Sequence, residues 1–93
     1  GAQIPGEGYV GLSDAFLAAG ARSVVASLWQ VDDESTAFVM TRFYEHFMGR
    51  QMSKAEALQE AKQELRTHEN PPGYRPSDHP YYWSPFILIG DAR

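Results

Sequence analysis

Apolar and polar residues divide the chain into short segments whose spacing alternates between that of helices and that of strands. Residues 8–19 place apolar side chains at helical spacing and end before Gly20, a natural helix stop. Residues 22–29 then form a nearly continuous apolar run that is β-branched at its centre, as is typical of a strand buried on both faces. The pattern therefore predicts a helix followed by a buried strand.

A second helix is predicted over residues 34–48. Apolar side chains recur at every fourth position from Val39, through Phe43 to Phe47, and so form one stripe. Either Asp32 or Asp33 is placed to accept the free N–H groups of the first turn, where an acid also suits the positive helix end.

A third helix has an explicit start signal, since Ser53 and Glu56 form a capping box. Its polar face alternates Lys and Glu, which we interpret as a solvated surface. Its predicted buried stripe comprises Leu58, Ala61 and Leu65.

A proline-rich loop separates these helices from the last strand. Residues 69–80 contain four prolines and a glycine, and residues 84–90 then read as a second buried strand with Pro85 near its start. The predicted order is helix, strand, helix, helix, strand. Strands joined through helices indicate an α/β fold with parallel pairing and a right-handed crossover.

Two strands are too few for a stable open sheet, and both look buried on two faces. We therefore expect further strands upstream in a longer polypeptide, which we call the parent protein. A self-contained small α/β domain is the alternative, because domains of 93 residues can bury enough surface to fold.

Composition narrows the class of protein. Hydrophobic residues make up 43% of the chain and aromatics 13%, which favours a packed core over disorder. A net charge of −4 without a basic stripe argues against nucleic acid, and no apolar run reaches the roughly 18 residues of a membrane span. The absence of cysteine excludes disulfides, thiolate metal sites and a cysteine nucleophile within this chain. A cytoplasmic location is the default expectation.

The segment after the first strand is the best candidate site. Trp29, Asp32 and Asp33 follow the carboxyl end of that strand, where α/β folds place ligand crevices. Trp29 would supply a wall and an acid the counter-charge for a cationic side chain. The structural alternative is helix capping by an aspartate and core packing by Trp29. No cofactor or metal is expected, since the three histidines share no ligand spacing. They are His46, His68 and His79.

A glycine-rich motif offers a weaker functional reading. Residues 6–11 match GxGxxG, which would cradle a dinucleotide if a strand preceded it, with Asp32 or Asp33 on a ribose. Otherwise the glycines serve a tight turn and close helix packing.

Several stretches together resemble the C-terminal half of CHAT domains, a caspase-like and separase-like family. They are GEG at 6–8, AFLAAGARSVVASLW at 15–29, VDD at 31–33, SKAEAL at 53–58 and HPYYWSPFILIGD at 79–91. The resemblance implies that residues 1–93 are the C-terminal part of a single CHAT domain. The implied fold is a caspase-like α/β/α sandwich with a mostly parallel sheet.

The resemblance also implies a cysteine endopeptidase with a His–Cys dyad, whose members precede the GEG segment in the family. We therefore expect no catalytic residue in this chain, and we expect the dyad in the upstream half of the domain. Expected partners are that upstream half, a peptide or protein substrate, and tetratricopeptide repeats in the parent protein. The alternative is a non-catalytic CHAT-type interaction module.

The same resemblance implies a role for the candidate site. Residues 27–33 are similar to the Leu-Trp-Asp-Val-Thr-Asp stretch of separases, which implies a pocket for the P1 side chain, the residue before the cleaved bond. Trp29, Asp32 and Asp33 are the substrate-binding candidates. Asp33 is preferred for an arginine because it aligns with the second Asp of that stretch. Gln30 stands where separases have Asp, so one acid of the pattern is missing.

Overall fold

The computed structural model describes residues 22–91. The predicted helix at 8–19 and the GxGxxG motif lie outside the described residues. The elements in order are β1 (Ser23–Ser27), α1 (Asp33–Tyr44), a π-helical turn (Glu45–Gly49), α2 (Lys54–Thr67), α3 (Pro80–Trp83) and β2 (Phe86–Gly90). The fold is thus mixed α and β.

The two strands pair antiparallel, with Ser23 opposite Gly90 and Ser27 opposite Phe86. The predicted parallel pairing is therefore wrong, and the predicted right-handed crossover between these strands is lost with it. The described residues contain only this two-stranded sheet, with no strand in parallel pairing.

The antiparallel direction of β2 follows from the number of helices between the two strands. α1 and α2 run antiparallel: the Lys54 ammonium lies 5.8 Å from the Phe47 ring centre, and the His68 ring lies 4.7 Å from that of Phe38. One crossover helix returns the chain to the end of the sheet where it started and gives a parallel strand. A second antiparallel helix adds another reversal, so the next strand runs the opposite way.

Helix α1, which corresponds to the helix predicted over residues 34–48, ends differently from its prediction. Regular α-helix stops at Tyr44, and the π-helical turn continues it to Gly49. His46 in this turn is buried, and its Nε2 lies 2.5 Å from Glu64 Oε1. His46 is therefore a packing residue that ties the end of α1 to α2.

Helix α2 begins as the sequence predicts. The Glu56 backbone N–H donates to Ser53 Oγ at 3.1 Å, and that hydroxyl donates to Glu56 Oε1 at 2.9 Å. The predicted stripe is buried between α1 and β2. The core cluster comprises Val31, Val39, Phe43, Ala57, Leu58, Ala61, Leu65 and Phe86.

The sheet contributes one face to this core. Val25 and Leu88 are opposite one another and pack against the core cluster. Their neighbours Val24 and Ile89 point to the other face because successive strand side chains alternate. That second apolar face is not part of the core that residues 22–91 build.

Candidate functional site

The candidate site lies where β1 ends and the chain turns into α1. The Leu28 backbone N–H donates to the Pro85 carbonyl at 3.0 Å, which extends the strand pairing by one step. Because the strands are antiparallel, the residues just before β2 lie beside those just after β1. The short helix α3 is thereby placed against the acidic loop.

The two adjacent aspartates have different local partners. Asp32 is the N-cap of α1, since its Oδ2 accepts from the Ser35 backbone N–H at 2.9 Å. Its own carbonyl accepts from Thr36 N–H at 3.1 Å, the first bond of the helix. Asp33 is the first helical residue, is exposed, and has no side-chain partner among the described residues. The sequence left the choice of cap open, and the structure assigns it to Asp32.

Trp29 links the acidic loop to α3. Its indole Nε1 donates to the Tyr81 carbonyl at 3.0 Å, and the two rings lie 6.0 Å apart at 31°. The Tyr81 hydroxyl returns a bond to the Gln30 carbonyl at 3.0 Å. The Ser27 hydroxyl donates to the Trp29 carbonyl, which fixes the turn after β1. These bonds hold the loop and α3 as one unit.

An open pocket of about 390 Å³ lies on this unit, and we call it the acidic pocket. Trp29 does not line it, but contacts Tyr81 and packs against the core. Two of the three candidate residues, Asp32 and Asp33, thus share a pocket. The lining residues are Gln30, Val31, Asp32, Asp33 and Tyr81.

Tyr81 is the pocket residue that sequence reasoning missed. Half of its side chain is exposed (48%), so its ring is available to a ligand. Its position is held by His79, the N-cap of α3, whose Nδ1 accepts from the Tyr81 backbone N–H at 3.1 Å. The signal was present in the aromatic run just before the last strand, but only an antiparallel pairing connects that run to the acidic loop.

The electrostatics favour a cationic ligand. Asp32, Asp33 and Glu34 place three carboxylates in succession, and none forms an ion pair within residues 22–91. A guanidinium or ammonium group supplies donors only, and a carboxylate supplies acceptors only. The Tyr81 ring adds a π face for the same cation. The pocket can therefore bind and orient a basic side chain.

Other chemistry is not indicated by the described part of the chain. Residues 22–91 contain no group of three or more His, Asp or Glu side chains arranged to hold a metal ion. None of the helices in this part is long and apolar enough to cross a lipid bilayer.

Comparisons with known proteins agree with one another. The family model of the CHAT domain matches residues 1–91. Human "Tetratricopeptide repeat protein 28" is 32% identical over 88 residues, which is 95% of this chain but 3% of that protein. The chain thus spans a small fraction of the length of this relative. No solved structure matches the chain significantly.

Proposed function

Because the chain belongs to the CHAT domain family, we propose that it is the C-terminal segment of a caspase-like and separase-like cysteine endopeptidase domain. In this proposal residues 1–93 complete an α/β/α sandwich whose other strands and His–Cys dyad come from the upstream half of the parent protein. The chain binds the substrate and is not active alone. The observation that carries the proposal is the acidic pocket at the end of β1, with the unpaired Asp33 beside Tyr81.

The residues of the pocket have distinct proposed tasks. Asp33 pairs with the guanidinium of a P1 arginine, and the Tyr81 ring lies against the same cation. Asp32 holds the first turn of α1 and so fixes Asp33 relative to the loop. Trp29 acts as a positioning residue, because its bond and ring contact support Tyr81. The P1 side chain is thereby held in place while the cysteine of the upstream dyad attacks the carbonyl carbon of the peptide bond that follows P1.

The expected free energy of this recognition follows from the opposite charges of Asp33 and the P1 arginine. A hydrogen bond to a charged group contributes about 1.5–3 kcal/mol, which corresponds to roughly 10–100-fold in an equilibrium or rate ratio. The pocket is open to solvent, so the lower end of that range applies. Gln30 lines the same pocket without charge, so selectivity for arginine rests on Asp33 with help from Asp32.

Tetratricopeptide repeats are proposed as the neighbouring part of the parent protein. Support comes from the human relative, which by its name is a tetratricopeptide repeat protein. Such repeats stack into extended concave surfaces suited to protein binding. A cytoplasmic location is part of the same proposal.

The test is carried out on the parent protein, with the upstream half present. Peptides that differ only in having Arg or Leu at P1 are compared by kcat/KM. We expect a clear preference for Arg, and Asp33→Asn should reduce kcat/KM on the Arg peptide about tenfold through loss of the charged pair. The Leu peptide should be little affected by this substitution.

A matched control is Glu60→Gln, which removes the same charge from an exposed position on α2 without a side-chain partner. It should leave both kcat/KM values unchanged. Equal values for wild type and Asp33→Asn on the Arg peptide would remove the pocket assignment. A parent protein that binds Arg peptides but cuts none would instead be a non-catalytic interaction module.

A further inference from the structure

A second cavity of about 520 Å³ lies next to the acidic pocket, between the start of α1, the end of α2 and the proline loop. Asp32 lines both cavities, and the consecutive residues Tyr81 and Tyr82 line one each. The two cavities are therefore adjacent. We call this cavity the second pocket, and the residues that matter below are Asp32, Glu34, Ser35, Tyr74, Ser77 and Tyr82.

The polar groups of the second pocket are rich in hydrogen-bond acceptors. Ser35 and Ser77 are 5% and 8% exposed, and their hydroxyl oxygens lie 3.5 Å apart. That separation exceeds the 2.5–3.0 Å typical of O–H···O bonds, so both buried hydroxyls keep lone pairs for a ligand. The Glu34 carboxylate lies on the rim and has no partner among the described residues.

The walls of the second pocket are aromatic. Phe38, Tyr74 and Tyr82 contribute rings, and Tyr74 is 59% exposed. Rings of this kind pack against the aliphatic stem of Lys or Arg and attract its charged end. An anionic ligand would instead face the carboxylates of Asp32 and Glu34.

Nearby basic side chains are engaged elsewhere. Arg75 pairs with Glu69 at 3.5 Å, and the Arg66 guanidinium lies 5.6 Å from the Trp83 ring centre. No Lys or Arg lines the second pocket within the described part of the chain, and its one imidazole, that of His68, lies against the Phe38 ring at 4.7 Å. The cavity thus has the charge and shape for a cation that residues 22–91 do not themselves supply.

We infer that the second pocket binds a second basic side chain of the peptide substrate. This inference rests on the proposed function and specifies its substrate class: a peptide with two basic residues close together. In an extended peptide, side chains two residues apart project to the same side. The second basic residue therefore lies two positions from P1, with its stem along Tyr74 and its charge at Glu34 and the two serines.

The experiment uses the parent protein and three peptides with Arg at P1. One has a second Arg two positions away, an isomer of the same charge has it one position away, and the third has none. Binding is measured by fluorescence anisotropy with analogues whose scissile amide is reduced, and cleavage by kcat/KM with ordinary peptides. We expect the first peptide to exceed its isomer by about tenfold in both affinity and kcat/KM.

Two variants assign the gain to the second pocket. Glu34→Gln removes the charge on the rim, and Tyr74→Ala removes an exposed wall whose loop is held by backbone bonds that alanine keeps. Each should reduce the ratio between the first peptide and its isomer several-fold. The control Glu60→Gln should leave that ratio unchanged.

The outcomes separate this inference from the proposed function. Equal binding of the first peptide and its isomer overturns the second pocket, even if P1-Arg peptides are cut. A ratio that survives both variants also overturns it, since the gain then arises elsewhere. Tight binding that depends on Glu34, without any cleavage, supports the second pocket and rejects the peptidase activity.

Discussion

Asp32 and Asp33 are chemically identical neighbours whose surroundings give them different tasks. Asp32 accepts from the Ser35 backbone N–H and so satisfies one of the free donors at the start of α1. Asp33 makes no such bond and is left to solvent or to a ligand. Stability should therefore depend mainly on the first aspartate and recognition mainly on the second.

A substitution series at position 32 tests the capping role. Asp32→Ala should lower the free energy of unfolding by about 1 kcal/mol, because the Ser35 N–H loses its acceptor. Asp32→Asn should be nearly neutral, since asparagine caps a helix as well as aspartate does. Denaturant midpoints of the parent protein provide the measurement. If Ala and Asn prove equally mild, the side chain at this position does not stabilise the helix.

The part of the site that lies within one segment could be predicted from the sequence, and the part that joins two segments could not. Residues 29–33 suffice to propose a cation-binding pocket with an aromatic support. Tyr81 is 52 residues from Trp29 along the chain, and only the pairing of β1 with β2 brings them together. The second pocket was missed for the same reason, since Ser35 and Ser77 meet across 42 residues.

Among the secondary structure elements, α2 and β2 are joined by a lysine that pattern analysis would leave in solvent. Lys62 lies on the charged face of α2, yet its ammonium donates to the Phe86 carbonyl at 2.9 Å. Partial burial lowers the pKa of Lys62 below its usual value of 10.5. The bond therefore forms at the cost of partly desolvating the charge.

The lowered pKa gives a pH dependence of known sign. Between the folded-state pKa of Lys62 and the unfolded value near 10.5, the unfolded chain binds more protons than the folded chain. The contribution of Lys62 to stability therefore rises with pH through that window and is lost as pH falls below it. Compared with Lys62→Arg, which does not titrate there, the wild-type unfolding midpoint should rise as the pH increases from the folded-state pKa of Lys62 through 10.5.

That comparison is made on the parent protein. The Lys62→Arg variant is the matched control for the wild type, because it keeps the positive charge at neutral pH. All other ionisable side chains are the same in both proteins, so their effects on the unfolding midpoint cancel in the difference. A difference in midpoint that stays constant from neutral to alkaline pH would contradict the desolvation of Lys62.

The direction of β2 shows what periodicity alone leaves open. Helix and strand types were predicted for α1, α2, β1 and β2, and the described structure contains all four. Their packing direction depends on how many antiparallel helices separate the strands. Pattern rules favour a parallel pair for strands joined through helices, whereas the path through α1 and α2 reverses the chain three times and leaves β2 antiparallel to β1. The short helix α3 was missed because four residues carry too little periodicity.

At the scale of the whole molecule, the two faces of the sheet differ. Val25 and Leu88 pack onto the core beneath the helices, whereas Val24, Ala26, Ile87 and Ile89 belong to the opposite face. An apolar face on a two-stranded sheet calls for a further layer, because such a sheet is marginal in water without one. In the proposed sandwich, that layer and the neighbouring strands come from the upstream half of the domain.

Residues 1–93 expressed alone should therefore be poorly soluble or molten, with helical far-ultraviolet circular dichroism but weak near-ultraviolet signal and binding of a hydrophobic dye. Their thermal transition should be broad, whereas the complete domain should unfold in one cooperative step. Circular dichroism and calorimetry of both proteins provide the comparison. The reason is the apolar sheet face, whose four side chains are only partly buried here and become fully buried when the other layer is present. A sharp cooperative melt of the isolated monomer would instead identify a self-contained α/β domain.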